Sequence, residues 1–212
     1  MSNIFRILLH TSGIFSFSYS FYILPSLKRS QNLIFEFTHL TIIGLLFSLV
    51  AFVLALLYDI FTKSRVISIL KNIFTAVSVP LEGLISLMYW SLILYDEKLI
   101  LEPGNARLPF LIDLGFHLIP ALCLWTDFLF FTKDFRKSHS HVFYILIFAF
   151  SYSIWIQFWF SQFGMWPYPL LAKLETQHRI GVYLACFVLC TGIYHLGAFV
   201  HTIFNKTMKK ID

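Results

Sequence analysis

Six long apolar stretches, joined by short connections, leave this chain few ways to fold. They run Ile4–Leu24, Thr38–Tyr58, Ile73–Tyr95, Phe110–Phe131, Val142–Phe163 and Ile180–Phe204. Each reaches the roughly 20 residues that an α-helix needs to cross a hydrocarbon core. In lipid every backbone N–H and C=O must be satisfied within the protein, so runs of this length are read as helices. The expectation is an all-α, polytopic membrane bundle of about six transmembrane helices, with residues 1–212 forming a single integral membrane domain. With 58% hydrophobic and 13% charged residues in 212, there is no room for a sizeable extra domain.

The first stretch is the weakest, because it carries His10 and several serines, and it also fits the apolar region of a signal peptide. Met1–Arg6 is only thinly basic and Pro25 follows without a small-residue cleavage site, so it is kept as a span. The connections Pro25–Phe37, Asp59–Asn72, Asp96–Pro109, Thr132–His141 and Gly164–Arg179 are short, with no repeat or linker. Six spans put both ends on one side. Ten of the Lys and Arg residues fall on that side and six on the other, which directs both termini to the cytosol. Lys209-Lys210-Ile211-Asp212 has the form of a dilysine retrieval signal, read by coat proteins on a cytosolic tail; the plainer alternative is a basic juxtamembrane anchor. The two pointers together predict a multi-pass protein of the endoplasmic reticulum membrane. The 25 Phe residues suit lipid-facing and acyl-chain-facing walls. No basic, aromatic-interleaved segment accompanies them, so nucleic acid is not an expected partner.

Within the spans, the polar residues carry the information, since each is costly in lipid. Thr41, near the start of the second span, and His117, inside the fourth, are the parts of a nucleophile–base pair. At about 1.5 Å per residue their depths differ by several ångström in the same leaflet, so contact is geometrically open. Thr38, Thr41, Leu45 and Ser48 follow helical spacing on one face; the ordinary alternative for such hydroxyls is back-bonding to a carbonyl or help in helix packing. Asp113 stands four residues before His117, one turn away, where a carboxylate either fixes the imidazole tautomer or tethers the span at the interface. Glu82 follows Pro80 in the middle of the third span, either bonded inside the bundle or in contact with substrate. Trp166 and Tyr168, in Gly164-Met-Trp-Pro-Tyr-Pro169, form either an interfacial anchor or a lid over a cavity. Asp127, His195 and Gln157 are weaker candidates. Cys123, Cys186 and Cys190 all lie in apolar stretches and read as buried thiols. His139-Ser-His141 has no further ligand at a familiar spacing, so no metal is expected, and no phosphate loop or haem motif implies a cofactor.

Three motifs together resemble the androgen-induced, FAR-17a-like family of multi-span membrane proteins. They are Leu40-Thr41 with Asp59 closing the same span; Asp113-Leu-Gly-Phe-His117 with Asp127 ten residues on; and Tyr152-Ser-Ile-Trp155 followed by Gly164-Met-Trp-Pro-Tyr-Pro169. The resemblance runs through nearly the whole chain in order and spacing. Animal members are hydrolases that use a threonine nucleophile and a histidine to cleave fatty acid esters of hydroxy fatty acids. By position, the resemblance implies Thr41 and His117 for those roles, with a membrane lipid as substrate. The chain departs from the family where a second histidine often precedes the catalytic one by three; here that position is Leu114. Its Pro120 follows His117 by three residues rather than five, so the helix is expected to bend differently. These departures mark a divergent, fungal-type relative. The rival expectation, from another class, is a non-enzymatic lipid-binding or transport protein of the same membrane.

Overall fold

The computed structural model describes residues 3–27, 33–61, 64–101, 107–133 and 135–208. Lys28, Arg29 and Lys63, which enter the charge count, and the Lys209-Lys210 tail lie outside the described residues. No strand occurs among those described. The helices are α1 (Asn3–Ile23), α2 (Leu33–Glu36), α3 (Leu40–Ile60), α4 (Arg65–Asp96), α5 (Phe110–His117), α6 (Ile119–Phe130), α7 (His139–Phe163), α8 (Pro169–Lys173) and α9 (Thr176–Met208). Five segments, built on α1, α3, α4, α7 and α9, are long and apolar enough to cross a membrane. The pair α5–α6, bent by 42°, makes a sixth if counted as one broken span. The all-α polytopic bundle is therefore what the chain forms.

The break in the fourth span has a local cause. Pro120 stands in the first turn of α6, lacks an N–H, and its ring opposes a carbonyl one turn earlier, so a helix arriving from Phe110 cannot continue through it. It ends at His117, with Leu118 at φ −132°, ψ −46° between the halves. His117 is thus the last residue of a two-turn half-helix. Pro80, in contrast, is absorbed inside α4 without a break, and the Trp125 indole N–H donates to the neighbouring Val79 carbonyl at 3.1 Å.

The centre of the bundle is α4, which packs against α3, α9, α6, α7 and α5. Its contact with α3 is close because Gly44 faces it. A Cβ at Gly44 would collide with Ile85 and crowd the Glu82 carboxylate. Phe17, Leu45, Phe52, Phe116 and Leu124 fill the core where α1, α3, α5 and α6 meet. The outer faces carry apolar side chains such as Phe15, Phe150, Leu184 and Phe199, as lipid exposure requires.

At the end of the bundle opposite Thr41 lies an ionic cluster. His10 is fully buried, with Nδ1 2.7 Å from Asp59 Oδ2 and Nε2 2.8 Å from Asp127 Oδ1. Arg6 Nε is 2.7 Å from the other Asp59 oxygen. The Thr132 hydroxyl donates to Asp127 at 3.2 Å. One imidazole therefore ties α1 to the last turn of α3 and to α6. The polar residue that weakens the first span as an isolated segment is the one that fastens it to its neighbours.

Candidate active site

The start of α3 is held by side chains from elsewhere in the chain. A helix begins with N–H groups that have no partner within it. At α3 the N-cap position, His39, is extended and supplies no side-chain cap. Instead the Tyr168 hydroxyl accepts the Leu40 N–H at 2.8 Å. The carbonyls of the preceding turn are taken from α7: Tyr152 O–H donates to Thr38 O and Trp155 Nε1–H to Phe37 O, both at 3.0 Å. The aromatic motif noted in the sequence is thus a clamp on the turn that carries Thr41. Thr38 lies before the helix and its hydroxyl donates back to Phe35 O at 2.7 Å. The expected row of three hydroxyls on one face of the second span is therefore corrected to Thr41 and Ser48, and Thr38 is a turn-closing residue.

His117 is fixed on the other wall. Its Nδ1 is 2.8 Å from Asp113 Oδ1, one turn up the same half-helix. The Tyr89 hydroxyl, from α4, donates to that same oxygen at 2.6 Å. The Tyr89 and His117 rings stack with centroids 3.4 Å apart. Arg107 Nε stands 4.0 Å from the second Asp113 oxygen. Asp113 is 2% exposed and His117 6%, so this pair is shielded from bulk solvent.

Between these walls lies a cavity of ≈ 230 Å³. Thr41, His117, Tyr89, His39, Tyr152 and Tyr168 all line it, and the rest of the lining is predominantly apolar. The phenol of Tyr168 lies outside the spans, and burial pushes it up to about 12, so it keeps its proton at neutral pH and can donate.

Two sequence-predicted cavity residues are not among those lining it. Glu82 lies one layer behind, where Ser48 Oγ–H donates to its Oε1 at 2.8 Å. Gly44 leaves room for that pair, and the bonded alternative for Glu82 replaces substrate contact. Trp166 faces away, stacked on Phe160 at 4.2 Å with the Arg179 guanidinium 4.5 Å above it. It locks the segment after Gly164, which ends α7 at φ +67°, a left-handed turn suited to a residue without Cβ. Of the weaker candidates, Asp127 belongs to the His10 cluster, and His195 and Gln157 are exposed on outer faces.

The matched family model, FAR-17a/AIG1-like protein, covers residues 5–202. The chain belongs to the FAR-17a/AIG1-like family. Among its relatives, a UPF0641 membrane protein of Schizosaccharomyces pombe is 32% identical over 78% of this chain and 75% of its own length. The androgen-dependent TFPI-regulating protein of Mus musculus is 24% identical, with 83% of each covered. A UPF0641 membrane protein of Saccharomyces cerevisiae is 28% identical over 71% of this chain and 67% of its own. No solved structure gives a significant match. The family and the fungal relatives agree with the resemblance carried by the Thr41, His117 and Trp166–Pro169 motifs.

Tyr89 is the site residue that sequence reasoning missed. It lies in an aromatic-rich stretch of α4, and nothing local sets it apart from Trp90 or Tyr95. The His10–Asp59–Asp127 cluster was also missed. Its members were individually visible as charged or titratable groups near span ends, but only the fold brings them together.

Proposed function

We infer that the protein is an intramembrane threonine hydrolase of lipid esters, acting on fatty acid esters of hydroxy fatty acids. The observation that carries this reading is that Thr41 and His117 line one apolar cavity, with His117 bonded through Nδ1 to Asp113.

The chemistry follows from that arrangement. With Nδ1–H donated to Asp113, the basic lone pair of a neutral imidazole is on Nε2. It takes the proton of the Thr41 hydroxyl as Oγ attacks the ester carbonyl. The tetrahedral oxyanion develops beside the first turn of α3, where the helix dipole is positive, Thr41 presents its N–H, and the Tyr168 hydroxyl, whose oxygen accepts the Leu40 N–H, can donate its own proton. Collapse expels the alcohol oxygen, which takes the proton back from His117. Water then loses a proton to His117, attacks the acyl-threonine and releases the fatty acid, restoring the Thr41 hydroxyl. Asp113 is a positioning residue: it orients the ring and stabilises the imidazolium that forms. This scheme uses no metal or cofactor.

A lipid-binding or transport protein would use the same cavity. The mid-membrane carboxylate that motivates it, Glu82, is turned to Ser48 and is not among the cavity-lining residues, so the hydrolase is favoured.

The deciding experiment is ester turnover by the purified protein in detergent on a branched fatty acid ester of a hydroxy fatty acid. Thr41→Ala and His117→Ala are expected to lower kcat per folded molecule by about a thousandfold each. Equal turnover in wild type and both variants sinks the reading. Retained lipid binding without turnover of any ester would favour the carrier.

The same reading assigns the protein to the endoplasmic reticulum membrane, both termini cytosolic, Thr41 toward the lumen, and Lys209 and Lys210 as coat-protein ligands. Lys209→Ser with Lys210→Ser should move the protein to later secretory compartments. Protease shaving of sealed microsomes should remove a C-terminal tag; a protected tag reverses the orientation.

A further inference from the structure

The lining of the cavity does not end at Thr41 and His117; it extends along α7, α4 and α9 as an apolar arm. Tyr152 marks the level of the α3 start, because its hydroxyl is bonded to the Thr38 carbonyl. Below it the arm is bounded by α7, α4 and α9, with Phe148 and Ile145 from the first, Leu84 from the second, and Cys186 and Cys190 from the third. Ile145 lies seven residues below Tyr152 on α7, an axial distance of about 10 Å. Among the described residues, no charged side chain lines this part, and Glu36, His39 and His117 all belong to its upper end. Such walls take a hydrocarbon tail and reject a headgroup.

The arm has a firm bottom. Leu84, Ile145 and Cys190 are each buried and pack with buried Tyr194 in one cluster. Tyr194 cannot swing aside cheaply: its hydroxyl accepts the Ser138 N–H at 3.1 Å and is 3.0 Å from His141 Nδ1. At ≈ 230 Å³ the whole cavity is also below the roughly 300–1,000 Å³ usual for drug-sized ligands.

We propose that this arm is the acyl-tail site and that Ile145, Leu84 and Cys190 form a floor that limits the length of the tail carried by the scissile carbonyl. The second chain of a branched ester then leaves through the mouth toward the bilayer. The turnover test rests on the hydrolase reading; the floor itself does not.

Two measurements separate the two ideas. In the first, the purified full-length protein is assayed on p-nitrophenyl esters that differ only in straight-chain length. Wild type should show an optimum. Ile145→Trp should shift it to shorter chains and Ile145→Ala to longer ones, with kcat/KM falling about tenfold for each methylene refused. Variants that scale every ester equally overturn the floor while leaving the hydrolase standing. In the second, wild-type protein is photolabelled with a saturated fatty acid bearing a diazirine at its methyl end. The label should fall on the α7 and α9 peptides containing Ile145 and Cys190, whether or not any ester is turned over. A label confined to the Tyr168 segment or to the outer faces of the bundle overturns the floor. Absence of wild-type turnover with a label at Ile145 would reject the hydrolase and keep the tail site.

Discussion

Tyr89 lies flat on His117, their ring centroids 3.4 Å apart and their planes within 1° of parallel. The same tyrosine donates its hydroxyl to the Asp113 oxygen that binds His117 Nδ1. The imidazole is therefore restrained over its face by one contact and along its edge by another, both traceable to one residue of the central helix.

Tyr89→Phe keeps the ring and removes only the bond to Asp113. We expect kcat to fall about tenfold, with KM and thermal unfolding close to wild type. Asp113→Asn, which disturbs the tautomer itself, should cost more, on the order of a thousandfold. Initial-rate kinetics beside thermal melts separate these outcomes. Loss of stability with intact kcat per folded molecule would make the trio a structural tether.

Tyr168→Phe deletes the hydroxyl that accepts the Leu40 N–H at the start of α3. If that hydroxyl also faces the developing oxyanion, kcat should drop about 100-fold while KM moves little. A rise in KM at constant kcat would assign Tyr168 to substrate binding alone.

His10→Ala leaves the Asp59 and Asp127 carboxylates buried without the group between them. Removing one partner of such a pair costs about 3–5 kcal/mol, so the variant should unfold at lower temperature or lower denaturant in detergent. Its specific activity per folded molecule should be retained, because the cluster sits at the far end from Thr41. Unchanged stability would mean that the cluster contributes nothing net.

Gly44→Val inserts atoms where α3 meets Ile85 and Glu82. Overpacking of this kind costs about 1–3 kcal/mol, and Thr41 is less than one turn away, so stability and turnover should fall together. Paired melts and rates check the coupling; a stable, inactive variant would point to displacement of Thr41 without loss of packing.

How much of this is readable in sequence differs by feature. Apolar length announces the spans, since the hydrocarbon core dictates it, and Pro120 announces a break near His117. The i, i+4 spacing puts Asp113 beside His117 because a helix stacks such positions. What is lost is anything that depends on the rotation of one helix against another. Glu82 is apolar-flanked whichever way it turns, and only the close approach at Gly44 turns it toward Ser48. Trp166 and Tyr168 are two residues apart in one motif, yet one faces the cavity and the other Arg179, because the segment after Gly164 is irregular and has no period. Tyr89 looks like its aromatic neighbours until α5 is docked.

His10 sets a timetable for the chain's synthesis. Its partners are 49 and 117 residues further on, at Asp59 and Asp127. At common elongation rates the second emerges on the order of ten seconds after His10. Until Asp59 arrives the first segment is a poorly apolar helix carrying an imidazole and several hydroxyls with nothing to bind them, and for the rest of that interval His10 has only one of its two carboxylates. It must wait beside the insertion machinery until α3 and then α6 arrive, so the last interactions to form at that end are those of the first helix made. Cutting the chain after Phe61 should therefore leave α1 and α3 with one carboxylate too few, and expose the nascent hairpin to quality control.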